Sequence, residues 1–251
     1  MAQIILSDCL CFAGGYNMSG KLNAIALDDN PDMLENTTFG MTAKSRKKGL
    51  DVIVASLAGY WEQPPDEYFS TLGTTGVPMT VTPASTVGGV AYLIGNTQNV
   101  EYSWGGSVGE LAKFSVKAES VGLKMIRGNI IENGGTARTV TGNGASLLLP
   151  APAAGQYLYG VLHVISAATA VGDTLDVIIK SDDAVGFGGS PETQLSFTQV
   201  LGNVVGGRTY QWATPVDIAA VTDTYWRTEW TIVDAGADDA SFTFCVAMGI
   251  A

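Results

Sequence analysis

Apolar and polar positions alternate along much of the chain with the period of two that belongs to strands, not the 3.6 of helices. β-Branched or aromatic runs bounded by Gly, Pro, Asn or Ser fall at residues 50–61 (LDVIVASLAGYW), 77–83, 90–96, 112–120 and 123–131, with KLNAIALD at 21–28 before them. Each predicts a strand. The style repeats at 156–166, 175–183, 193–200, 208–216, 224–233 and 241–250. In YWRTEWTI, the side chains of Trp226, Thr228, Trp230 and Ile232 share one face and are expected in a core. One helix is predicted, in PPDEYFSTLG, where Pro65, Asp66 and Glu67 suit a helix start and Gly73 suits its end.

These elements predict an all-β fold. The segment 133–155, rich in Gly, Thr, Ala and Pro, coincides with a change in charge. A boundary near Pro150 is therefore expected, giving domains 1–145 and 146–251. The second would be a jelly-roll or immunoglobulin-like β-sandwich, since about a hundred residues carry six strong strands. No alignable internal repeat joins the two parts.

Charge changes the picture of possible partners. The formal net charge is −11; residues 1–150 carry ten Lys or Arg against thirteen Asp or Glu, and residues 151–251 carry three against eleven. Such a surface repels phosphate backbones and disfavours tight DNA binding by the chain as a whole. Apolar residues make up 46% and charged residues 15%, a balance that predicts surface covered by partner subunits. No apolar run reaches the roughly 18 residues of a membrane span, and MAQIILSDCLCFAGG lacks a basic start. The expectation is a chain made in the cytoplasm with no membrane partner.

Candidate chemistry is thin. Cys9, Cys11 and Cys245 read as buried free thiols. With the single histidine, His163, they do not make a zinc set, so no metal or cofactor is expected. His163, between Leu162 and Val164, reads as a structural residue. The carboxylate pairs Asp28–Asp29, Asp182–Asp183 and Asp238–Asp239 keep a glycosidase reading open, although each lies in turn-like sequence. DAGADD at 234–239 could hold calcium or form a polar hairpin turn. Glycine-rich stretches lack the lysine of a phosphate-binding loop. Tyr102, Trp104, Trp212, Trp226 and Trp230 could form a sugar-binding platform, or core. The balance of these readings is a chain that is not an enzyme.

Cations crowd in one place, MTAKSRKKGL at 41–50. Between the strands at 21–28 and 50–57 lie about twenty residues without strong periodicity, longer than an ordinary hairpin loop. In an acidic chain, the electrostatic partner of Lys44, Arg46, Lys47 and Lys48 can be another copy of the same protein.

The order of LSDCLCFAGGYNMSGKLNAIAL, ENTTFGMTAKSRKKGLDVIVASLAGYWE, VEYSWGGSVGELAKFSVKAES and MIRGNIIE, spanning about residues 4–132, resembles the major tail (tail tube) proteins of tailed bacteriophages. The resemblance implies a virion protein whose sandwich-like or barrel-like N-terminal domain joins its neighbours in a ring, commonly hexameric. Rings stack into a tube that delivers the genome. Met33–Leu50 would then be an inter-ring loop carrying Met41, Lys44, Arg46, Lys47 and Lys48. Strands 50–61 and 112–120 would face the lumen or the neighbouring subunit, and Glu101, Glu110 and Glu119 would be lumen-lining acids. Residues 146–251 would be an additional sandwich outside the tube. The partners implied are further copies of the chain, other tail proteins, and DNA only in transit. A capsid decoration protein, another tail component and a carbohydrate-binding β-sandwich remain alternatives.

Overall fold

The structure is a computed structural model describing residues 8–39, 42–74, 76–168, 170–236 and 239–251. It is all-β with one short helix. In chain order the first strands are Leu10–Ala13 (β1), Tyr16–Asn17 (β2), Leu22–Glu35 (β3), Arg46–Tyr60 (β4), Val77–Thr82 (β5), Val90–Gly105 (β6), Lys113–Ser120 (β7), Met125–Asn133 (β8) and Gly142–Asn143 (β9). There follow Leu147–Leu148 (β10), Tyr157–Ser166 (β11), Thr174–Asp182 (β12), Glu192–Ser196 (β13), Val200–Leu201 (β14), Thr209–Trp212 (β15), Val216–Asp217 (β16), Tyr225–Val233 (β17) and Thr243–Ile250 (β18). The helix, α1, spans Gln63–Phe69, starts with Pro in its first turn beside Asp66, and stops at Ser70, earlier than Gly73 suggested.

The chain forms two compact units: residues 1–20, 77–93 and 126–251 make one, and residues 21–76 and 94–125 make the other. This is not the expected division at 145/146. The segment read as a linker is built into the first unit, because β9 pairs with Glu229 and Trp230 and β10 with Tyr225 and Trp226 of β17.

In the larger unit, one sheet runs β15-β11-β18-β8, then the start of β6, then β5-β1-β2. A second runs β10-β17-β12-β13. Their apolar faces meet: Leu158, Leu162, Phe244 and Met248 from the first pack with Val177, Ile179, Trp226 and Trp230 from the second. This is the two-sheet core expected of the C-terminal part, joined by Ile131 of β8. Trp226 and Thr228 are fully buried and Trp230 is nearly so, as the alternation of YWRTEWTI predicts. Trp226 and Trp230 are thus core, not part of a sugar platform.

Two polar devices cross this unit. Glu132, buried, accepts both hydrogen bonds of a fork from Arg138 Nη2, at 3.0 and 2.9 Å, while the guanidinium lies 4.8 Å from the centroid of Trp230. His163 on β11 is fully buried, with Nδ1 2.6 Å from the Gly14 carbonyl and Nε2 2.8 Å from the Thr80 hydroxyl. The carbonyl can only accept, so Nδ1 carries the proton and Nε2 accepts from Thr80. The ring stacks on Phe12 at 5.6 Å.

Burial holds the His163 pKa down to about 4, the Gly14 hydrogen bond opposing the shift in part. The unfolded chain, with a histidine near 6.5, binds the extra proton first. Neutral His163 therefore contributes its full stability above pH ~6.5 and loses it as pH falls toward 4, about 3 kcal/mol in all. Denaturant unfolding at about pH 7 and about pH 4.5 should show wild type losing more stability than His163→Gln; equal losses would contradict this role.

The smaller unit is one antiparallel sheet, β3-β4-β7-β6. Ile53, Ala55 and Leu57 of β4 and Phe114, Val116 and Ala118 of β7 are buried on one face. α1 packs on that face near Phe114 and Tyr102: its Phe69 is fully buried, with ring centroids 5.4 Å from Phe114 in a tilted pair and 6.3 Å from Tyr102 in a stacked one. Burial of Phe69 alone stabilises this packing by about 2 kcal/mol. A Cβ on Gly59 would lie 2.0 Å from the Lys21 carbonyl oxygen, so this close crossing of β4 under the chain entering β3 requires glycine.

The cysteines are free, with Cys11 and Cys245 buried and Cys9 half-buried. Burial pushes all three thiols up in pKa, which makes them poor nucleophiles.

Candidate assembly surface

The other face of the β3-β4-β7-β6 sheet follows directly from period two. Where one residue of β4 or β7 is buried, the next points the opposite way. The register aligns these residues in rows across all four strands. Ala24 stands opposite Ala58, Ala58 opposite Ser115, and Ser115 opposite Ser103. The next row runs Ala26, Ser56, Lys117, Glu101. The hydroxyls of Ser103 and Ser115 are 2.8 Å apart. Lys117 Nζ sits 2.8 Å from Glu119 Oε1, and the hydrogen bond to that carboxylate raises the lysine pKa.

The alanines and serines of these rows, with Glu101 and Lys117, line a shallow hollow. Among the described residues of the unit no element covers it, and Ala24, Ala26, Ser56 and Glu101 are exposed. Small side chains there let another backbone, or a column of solvent, approach the sheet closely.

The expected loop at 33–50 is a correction. β3 and β4 continue as a paired ladder well beyond the sheet, with Met33 opposite Lys48, Leu34 opposite Lys47 and Glu35 opposite Arg46. Only residues 36–45 connect the strands, so the segment is a projecting two-stranded arm. Asn23 and Asp32 have no partner in β4 and mark the register shifts, which bend and twist the ladder. Met41 lies outside the described residues. Lys44 Nζ is 3.4 Å from Glu35 Oε2, and Lys48 Nζ is 2.7 Å from Asp51 Oδ1, a hydrogen bond that raises the Lys48 pKa. Arg46 and Lys47 are exposed and form no ion pair among the described residues.

Glu101 and Glu119 lie on the uncovered face, on neighbouring strands, with Lys117 between them. Glu110 does not: it occupies the turn joining β6 to β7, at the end of the sheet. The readings from the sequence missed Lys117 and the small-residue rows. Ala24-x-Ala26 and Ser56-x-Ala58 carry the signal, small residues at spacing two on strands whose alternate positions are apolar.

The outer edge of β3 is the second feature of this surface. Among the described residues β3 pairs only with β4, so its other side presents unpaired backbone N–H and C=O groups. Asp28, Asp29, Pro31 and Asp32 interrupt the distal part, but Leu22–Leu27 contains neither charge nor proline. A bare edge of this kind is a template for a strand of another chain.

The carboxylate pairs do not join this surface as a catalytic set. Asp28 and Asp29 are consecutive on β3 and point to opposite faces. Asp182 accepts from the Ala184 N–H at 3.0 Å, which lowers its pKa, while hydrogen bonding with Asp182 raises that of Asp183. That pair is a turn at the end of β12. Asp238 lies outside the described residues. Among those described, no cluster of three metal-ligating side chains occurs and no helix is long and apolar enough to cross a membrane.

No protein-family model matches the chain, and no curated protein matches it in sequence. Among solved structures, it is similar to a chain of the virion of a native gene transfer agent particle (19% identity, 49% of this chain and 96% of that one, TM-score 0.39). It is also similar to the sheath/tube terminator of an extracellular contractile injection system (11%, 51% and 97%, TM-score 0.41). A third is the Dit protein of phage SPP1, described as a hub of the adsorption apparatus (11%, 97% and 99%, TM-score 0.36).

Proposed function

We propose that this chain is a structural tail protein of a phage-like particle, and that it polymerises into stacked rings as a tail tube subunit. The observation that carries the reading is the β3-β4-β7-β6 sheet, covered on one face, bare and small-residued on the other, and open along Leu22–Leu27. Joining the β3 edge of one copy to the sheet of the next satisfies the unpaired backbone groups and closes a ring. The sequence resemblance to tail tube proteins supports the same reading, and implies a hexameric ring that conducts the genome at ejection. Residues 146–251, with the strands from residues 8–17, 77–93 and 126–143 that complete their unit, are then the additional sandwich displayed outside the tube. Sedimentation velocity over rising protein concentration should give discrete ring-sized species; a single monomer boundary at every concentration and salt would contradict assembly.

The bare face is assigned to the lumen. Asp28, Glu101 and Glu119 outnumber Lys113 and Lys117 there, and Lys117 is engaged by Glu119. Passing DNA meets few free cations, so counterion release, the main source of its affinity for proteins, is small. Glu101→Lys with Glu119→Lys should make assembled particles retain duplex DNA in filter binding, with an affinity falling steeply with salt, by about 0.9 in log–log slope for each phosphate neutralised. Wild type should retain none. A variant that also retains none would remove the lumen assignment.

A further inference from the structure

The two ends of the β3-β4-β7-β6 sheet differ in charge and in their exposed apolar residues. At one end the β3–β4 arm and the β7–β8 turn come together, and residues 48–52 and 120–124 line one shallow groove. Met33, Leu34, Leu50, Val121 and Leu123 are exposed there. Lys44, Arg46, Lys47, Lys48 and Lys124 belong to this end and outnumber Asp29, Asp32, Glu35 and Asp51 by one. Lysines 44 and 48 are held by carboxylates of their own arm, leaving Arg46, Lys47 and Lys124 without ion pairs among the described residues.

At the other end, β4 runs into Trp61, whose backbone N–H donates to the Ala112 carbonyl at 2.9 Å and so ties the end of β4 to the β6–β7 turn. Trp61 and Trp104 lie with ring centroids 6.1 Å apart. Trp104 is 65% exposed and Leu111 70%, with Val108 wholly exposed beside them. Glu62, Asp66, Glu67 and Glu110 outnumber Lys21 and Lys113 at this end. Lys21 is paired with Glu62, whereas Asp66, which accepts from Trp61 Nε1 and the Tyr102 hydroxyl, and Glu67 and Glu110 have no cation among the described residues.

We infer that the tryptophan-bearing acidic end is the surface that receives the basic arm of a second copy of this chain. Opposite charge surrounds exposed apolar side chains on each side, with tryptophan, a frequent anchor of protein interfaces, on the receiving end. Because the patches lie at opposite ends of one sheet, the contact is heterologous. Repeated, it does not close on itself but propagates along the strand direction. It rests on the tail-tube reading and specifies it: the arm of one ring meets α1 and the β6–β7 turn of the next.

The test uses the whole chain, imaged by electron microscopy after concentration. Arg46→Glu with Lys47→Glu should leave rings but shorten stacks more than tenfold, and Trp104→Ser should do the same. Adding Glu67→Lys and Glu110→Lys to the arm reversal should restore stacking, which a merely misfolded arm could not do. Wild-type stack lengths in both the reversal and Trp104→Ser, or no rescue by the combined reversal, overturn this contact while leaving ring assembly standing. A wild-type chain that forms no rings overturns both.

Discussion

A chain carrying Asn23→Pro and Ala26→Lys is expected to remain folded and to lose ring assembly. Asn23 has no partner in β4, so proline there removes no rung of the existing ladder, and proline is tolerated at such bulges. Lysine at Ala26 adds a charge to an edge segment that has none, the device by which edge strands resist pairing. Losing about three inter-chain hydrogen bonds, each worth about 1 kcal/mol net, weakens each subunit contact roughly a hundredfold. The loss compounds around a ring. Circular dichroism and unfolding midpoint should match wild type while sedimentation shows monomer; rings of normal yield would show that the β3 edge is not the joint.

Arg138→Ala should be the most destabilising single substitution outside the apolar core. Its guanidinium donates to both oxygens of buried Glu132, and its backbone exchanges hydrogen bonds with Phe242 at 2.8 and 2.9 Å. Removing the side chain leaves a carboxylate buried without its cation, a change that costs about 3–5 kcal/mol. The packing over Trp230 is lost as well. Glu132→Leu with Arg138→Met should recover most of the stability, because an apolar pair of similar volume carries no desolvation penalty. Urea unfolding of wild type, Glu132→Leu, Arg138→Met and the double variant measures the coupling; a loss below about 1 kcal/mol for Arg138→Ala would mean that water reaches Glu132 and replaces the arginine.

The sequence was legible where burial is one-sided. YWRTEWTI alternates because one face of β17 packs on the opposing sheet, and 50–61 alternates because one face of β4, bearing Ile53, Ala55 and Leu57, is buried. It was illegible where both faces are wet. Among the described side chains of the arm at 29–35 and 46–50 none is buried, so nothing imposes an apolar period. Asp28-Asp29-Asn30-Pro31-Asp32 reads as a turn by composition although it is a strand. The units were hidden for a different reason: the chain passes between them at four points, whereas a shift in composition can mark only a contiguous boundary.

The site shows the same limit. The cations at 44–48 stood out by crowding, and Glu101 and Glu119 fell on strands whose register brings them beside Lys117. Glu110 was misplaced because the end of a strand that continues into an exposed turn, Trp104 to Leu111, is not marked by any change of period. The exposed Trp104 resembles a core tryptophan in sequence; only the fold puts it at a rim.

Cryo-electron microscopy of the purified, concentrated chain measures the central claim most directly. The account predicts stacked rings in which the β3 edge of each copy joins its neighbour and the face bearing Ala24, Ala26, Ser56, Ala58, Glu101 and Lys117 lines the channel. Particles that remain monomeric, or rings that turn this face outward, would contradict it.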